Sequence, residues 1–277
     1  MDFIKNKKFM GFIAISIAIL IFKSSINFAR ADEEALAGKE IIKKWEKVVA
    51  TVKIVIKYKM IVEGREMNKS ESKIETIGTI IDPSGLVVLS LSATDPFKLL
   101  SHMDMDINDK NKFKLESEIT DLKIRLYDGK ELPAKIVLRD NDLDLAFIRP
   151  VAKLPESIPS IDLSNDIKPE ILERIIILSR LSSIGNWDTL ISLSRIGAII
   201  TKPRTLYITE LSSIGGKVGC PVFSLDGKVV GIIVLRAKSS QRFNMESISG
   251  GIGDIGVLPV ILPVSDILYV AKQALNN

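Results

Sequence analysis

The residues with reactive side chains are few and oddly placed. The chain carries one cysteine, Cys220, and one histidine, His102. The stretch "GGKVGCPVFSLDGKVVGI", residues 215–232, frames a tight glycine turn and puts Val218, which has no reactive atom, at its centre. Acyl transfer needs a hydroxyl or thiol nucleophile, a base to take its proton and a group that orients the base. Cys220 is the nearby thiol, but it directly precedes Pro221, and a small buried thiol packing beside the loop accounts for it. His102 lies in a polar stretch and reads as a surface residue before it reads as a transplanted base. Ser212 and Ser213 precede the turn and read as loop serines.

Other chemistries find less support. Gly251, Gly253 and Gly256 fit G-x-G-x-x-G, but Pro259 and Pro263 deny the helix that a dinucleotide site requires. No His/Cys cluster suits zinc, and Asp104, Asp106 and Asp109 lack the glycine and glutamate of a calcium loop. No metal and no cofactor is expected.

The elements around these residues are strands. From Val52 to Met60 apolar and lysine residues alternate, the pattern of a half-buried strand whose lysines also discourage edge pairing. Asp82-Pro83-Ser84-Gly85, Asp128-Gly129 and Asp226-Gly227 mark hairpins, the last two as two-residue turns. Residues 98–118 read as a surface excursion between strands, and "SDILYVAKQAL" reads as a terminal helix with Ser265 as its N-cap. Many short strands and one helix imply an all-β barrel or sandwich.

The N-terminus stands apart. Lys5, Lys7 and Lys8 precede an apolar run, Phe9 to Phe22, and Ala29-Arg30-Ala31 closes the segment. This is the pattern of a signal peptide cleaved before Asp32, which implies a periplasmic or secreted protein. The alternative is a membrane anchor through residues 9–22, with membrane contact only if the leader stays uncleaved. That run reaches ~21 Å as a helix, short of a ~30 Å hydrocarbon core. Removing residues 1–31 takes five of the 38 basic and one of the 34 acidic residues, leaving 33 of each. The net charge of +4 thus belongs to the leader, and no nucleic-acid partner is expected. An exported fold with one cysteine has no internal disulfide and relies on its core.

Three ordered stretches carry a family resemblance. "TELSSIGGKVGCPVF" resembles the nucleophile segment T-D-x-x-I-x-x-G-N-S-G-G-P-L of trypsin-like serine peptidases, especially their HtrA-like branch. Gly216, Gly219 and Pro221 match; Lys217 stands for the Asn, Val218 for the serine and Cys220 for a glycine. "GTIIDPSGLVVLSLSATDP" resembles the histidine segment, with Ser92 at the histidine position. "DGKELPAKIVLRDNDLDLAFIRP" resembles the aspartate segment, with Asp144 retained. The resemblance spans about residues 48–275 and leaves no sequence for an appended PDZ domain.

It implies two antiparallel six-stranded barrels with a C-terminal helix and a site in the cleft between them. The implied division is a signal peptide (1–31), an arm or helix (32–47), an N-terminal barrel (48–150), a linker (151–169), a C-terminal barrel (170–262) and a helix (263–277). It implies a triad reduced to vestigial positions Ser92, Asp144 and Val218, with oxyanion-hole-like backbone at Gly216 and Val218. A serine has no basic lone pair near neutral pH and valine cannot attack a carbonyl. In a working enzyme either loss lowers kcat by about 10⁶. The implied function is a non-catalytic pseudoprotease that holds an extended peptide, an unfolded chain or a partner protein in its cleft; a homotrimer would follow the family. One alternative is an active endopeptidase with a displaced nucleophile, Cys220 or a nearby serine, served by His102. Another is a structural subunit of an envelope assembly.

Overall fold

The computed structural model describes residues 33–96, 104–105, 113–209, 217–237, 242–243 and 257–276. The leader, His102, Ser212, Ser213, Gly216 and the glycines at 251, 253 and 256 lie outside the described residues.

Residues 33–45 form α1. Three strands follow, β1 (Val49–Val62), β2 (Arg65–Asp82) and β3 (Leu86–Ser90), and then a one-turn helix, α2 (Leu91–Thr94). The short β4 (Asp104–Met105) precedes β5 (Phe113–Arg125), β6 (Glu131–Asp140) and β7 (Leu145–Pro150). Next come β8 (Arg174–Arg180), β9 (Thr189–Ile200), β10 (Leu206–Thr209), β11 (Pro221–Ser224) and β12 (Val229–Ala237). The short β13 (Arg242–Phe243), β14 (Val257–Pro263) and a final helix, α3 (Val264–Leu275), complete the order.

The strands close into two antiparallel six-stranded barrels. The first runs β1-β2-β3-β7-β6-β5 and the second β10-β14-β12-β11-β8-β9. β4 and β13 form a separate parallel pair. The architecture is the two-barrel, trypsin-like fold that the sequence resemblance implies, with its C-terminal helix.

Barrel interiors take the apolar side of each strand, as the alternation in β1 predicts. β3 goes further, for all five of its residues are buried. Its outer face meets β12 of the second barrel, and β1 likewise meets β8. A strand covered on both faces needs no polar alternation, which is why "LVVL", residues 86–89, is a continuous apolar run.

The two terminal helices tie the barrels crosswise. α1 precedes the first barrel but packs on the second. Trp45 stacks on Phe223 with ring centroids 5.9 Å apart, and its indole N–H donates to the Gly227 carbonyl at 3.3 Å. Arg174 pairs with Glu34 at 2.8 Å and Glu33 at 3.3 Å. α3 follows the second barrel, yet Arg149 of β7 donates to its Ala274 carbonyl at 3.2 Å.

Three local expectations need correction. β5 begins at Phe113, inside the segment read as an excursion. Its alternate residues are charged because they pair with lysines of β1, where Glu116 faces Lys59 and Glu118 faces Lys57. The Asp-Gly hairpins are three-residue loops. In each, glycine alone takes positive φ, 87° at Gly129 and 77° at Gly227, after a turn bonded from Gly129 N–H to Leu126 and from Gly227 N–H to Ser224. Finally, α3 starts at Val264 and not beyond Ser265, because Pro263 at φ −58° is preset for a helix start.

Candidate functional site

Asp144 sits at the end of a tight turn before β7, with φ 58°, a left-handed conformation that aspartate tolerates better than most residues. It is 6% exposed. Its carboxylate accepts three hydrogen bonds. Oδ1 takes the backbone N–H of Ser92 at 2.7 Å. Oδ2 takes the Ser90 hydroxyl and the backbone N–H of Leu235, the latter at 2.8 Å. The Asp144 carbonyl accepts from Leu91 N–H at 2.8 Å.

Ser90 is the N-cap of α2, and its Oγ also accepts from Ala93 N–H at 3.4 Å. The sequence "SLSAT" therefore turns a strand into one helical turn and brings the Ser92 N–H onto Asp144. Leu235 belongs to β12, so the carboxylate also bonds the two barrels together. Burial is the main influence on this carboxyl and pushes its pKa up. The bonds from Ser90, Ser92 and Leu235 pull it partly back.

The turn that holds Val218 is fastened beside this junction. Gly219 has φ 90°, and a Cβ there would lie 1.9 Å from the Ile77 carbonyl oxygen of β2. Only glycine lets the loop approach the first barrel so closely. Its carbonyl accepts the Thr79 hydroxyl at 2.9 Å, and its N–H donates to Ile233 of β12 at 2.7 Å. Val218 precedes this anchor and is half-buried. Ser92 and Asp144 are thus in direct contact, while Val218 sits on a loop pinned between β2 and β12.

Cys220 points the other way. It is fully buried and its thiol donates to Ser179 Oγ at 3.1 Å. Burial pushes the thiol pKa up to about 12, so at neutral pH it is a protonated thiol and a poor nucleophile. Lys217 Nζ donates to Ser192 Oγ of β9 at 2.6 Å, and burial lowers the lysine pKa.

Ser90, Thr79 and Leu235 escaped sequence reasoning. Ser90 had a readable signal, since a serine that closes an apolar strand run is a preferred N-cap for a following helical turn. Thr79 and the Leu235 amide had none, because each acts across 91 or more residues of chain.

No curated protein matches the chain. A family model described as a trypsin-like peptidase domain matches residues 102–232, a span that holds Asp144 and Val218 and begins after Ser92. That match and the two closed barrels together support the trypsin-like family.

Proposed function

We propose that this chain is an exported, non-catalytic member of the HtrA-like branch, a pseudoprotease that binds extended peptide. The carrying observation is the junction itself. Ser92, at the histidine position, meets Asp144 through a 2.7 Å backbone bond, so the frame that would orient an imidazole holds a serine. Beside it, the loop pinned by Gly219 carries valine where an attacking oxygen would stand.

β12 supports the binding half of the reading. One of its edges pairs with β14 along Gly231–Ala237. Its other edge pairs with β11 only as far as Ile232. Beyond that, Ile233 N–H goes to Cys220 and Leu235 N–H to Asp144. By strand alternation the next N–H on this edge is that of Ala237, and no strand among the described residues pairs with it there. An extended peptide adds to such an edge through main-chain bonds and needs no triad.

The test uses fluorescein-labelled unfolded casein and a fluorophosphonate probe. Casein is expected to bind with a rise in anisotropy and to remain uncut. Ala237→Pro deletes the edge N–H and is expected to weaken binding about tenfold. Cleavage of casein, or a serine labelled by the probe, overturns the reading. Export is tested separately by N-terminal sequencing of the mature protein, expected to begin at Asp32.

A second reading rests on the 2.6 Å Ser192–Lys217 contact, since serine and lysine form the nucleophile–base pair of some serine hydrolases. It predicts fluorophosphonate labelling of Ser192 that is lost in Lys217→Met.

A further inference from the structure

β1, β2 and β5 run on past the strands that complete their barrel. β3 pairs with β2 only over residues 79–82, and β6 pairs with β5 only over residues 123–125. The Gly219 turn lies against Ile77 of β2. Residues 65–76 of β2 therefore have β1 on one edge and no strand on the other among the described residues. Every second residue of such an edge turns its N–H and C=O outward, ready to pair with another strand.

The side chains along this edge carry a pattern. Lys69, Glu71, Lys73 and Glu75 share one face of β2, and all four are exposed. Their signs alternate. An edge blunted by charge of one sign repels a copy of itself in every register. Alternating signs do not. If a second β2 runs antiparallel about a twofold axis at Ser72, Lys69 stands opposite Glu75 and Glu71 opposite Lys73, and the symmetry repeats both pairs. Every charge on this face then meets its opposite. A shift of two residues one way sets Glu71 opposite itself and Lys69 opposite Lys73. The same shift the other way sets Lys73 opposite itself and Glu71 opposite Glu75. Like charges directly opposite are destabilising, so the pattern selects one register. On the other face Ser72 meets itself and Ser70 meets Ile74, which brings no charge together.

The chain does not use these charges up internally. Glu71 faces Lys57 and Glu75 faces Lys53 across the β1 ladder, but Lys73 faces Val55 and Lys69 faces Lys59. Lys69 pairs with Glu66 at 2.7 Å and stays 72% exposed, and Glu75 accepts the Ser183 N–H at 3.3 Å. Neither Glu71 nor Lys73 forms an ion pair among the described residues. The β5 edge of another copy is a poorer partner. Its exposed Glu116 and Glu118 are successive residues of one face. Successive charges of β2 differ in sign, so one of these two acids would meet an acid.

We infer that two copies of this chain pair through β2, antiparallel about a twofold axis at Ser72. Such a contact is isologous and closes on itself, using up the open edge in both copies. It is separate from the β12 edge, so the inference does not rest on the peptide-binding reading. Backbone bonds set its affinity and the charges set its register, which makes the dimer sensitive to salt.

Sedimentation velocity of the full chain tests it. A dimer is expected in about 0.05 M NaCl and a weaker one in about 1 M, where the Debye length falls to about 3 Å. Glu71→Lys or Lys73→Glu alone replaces two opposite pairs by two like pairs and is expected to weaken the dimer about thirtyfold. An equal mixture of the two variants sets each altered residue opposite its complement and is expected to restore association. Recovery on mixing is a result that a merely structural role for either residue would not give. Both side chains are exposed, so each variant is expected to keep the wild-type circular dichroism. Should a reversal fail to fold, Lys73→Gln keeps the test, with a dimer expected to be about fivefold weaker. A monomer at every concentration up to about 1 mM overturns the inference. So does wild-type association in the folded single variants, or a mixture that associates no better than its components.

Discussion

Two polar clusters lie where the barrels meet, and they are built in opposite ways. At Asp144 one acceptor group collects three donors, from Ser90, Ser92 and Leu235. Around a cavity between the barrels that Arg125 lines, three buried atoms, Thr51 Oγ1, Arg125 Nε and Trp187 Nε1, have no partner among the described residues. Burial penalises both, and among the described residues only the first is compensated. A satisfied cluster holds the fold together.

The contrast breaks most visibly at Asp144. Asp144→Ala leaves the Ser90 hydroxyl and the Ser92 and Leu235 amides without their acceptor. A loss of about 4 kcal/mol is expected, read as a lower urea midpoint. Thr51→Val, its counterpart beside the cavity, is expected to change stability by less than about 1 kcal/mol. If both variants lose stability equally, the distinction between the clusters fails.

Gly219→Ala probes the anchor beside Asp144. The new Cβ meets the Ile77 carbonyl and the backbone stays at positive φ, so a loss of about 2–3 kcal/mol is expected. Thr79→Val deletes only the bond to the Gly219 carbonyl and is expected to lose about 1 kcal/mol in the same melt.

A smaller effect concerns pH. The Asp144 carboxyl has a folded pKa above its ordinary value, chiefly from burial. The folded state therefore binds this proton more tightly than the unfolded chain does. The stability it contributes is complete below the unfolded pKa and is lost as pH rises through the folded pKa. Asp144→Asn is expected to flatten that fall of stability above the ordinary aspartate pKa of about 3.9, as followed by midpoint against pH.

Cys220 gives the smallest signal. With a thiol pKa of about 12, only about one molecule in 10⁴ carries a thiolate at pH 8. A disulfide reagent at that pH is expected to react with Cys220 only after denaturation. Prompt reaction of the native protein would contradict its burial against Ser179.

Much of the fold was legible in the residues. Alternation in β1, the Asp-Gly and Asp-Pro-Ser-Gly turns and the terminal helix are local signals, since each depends on neighbours a few residues away. The ordered segments around Ser92, Asp144 and Val218 placed a trypsin-like domain, and the matched span 102–232 with the two barrels agrees at that level. β5 was misjudged because the charged alternate residues Lys114, Glu116 and Glu118 masked the period-two apolar set Phe113, Leu115 and Ile119.

The sequence by itself determined the strands, the turns and which side chains were available for chemistry: no imidazole at Ser92, no hydroxyl at Val218, one carboxylate at Asp144. Only the tertiary structure decided what those groups touch. Leu235 reaches Asp144 across 91 residues, Thr79 reaches Gly219 across 140, and Thr51, Arg125 and Trp187 come from both barrels to one cavity. Such contacts depend on how two closed barrels pack on one another, and no local pattern of residues encodes that geometry.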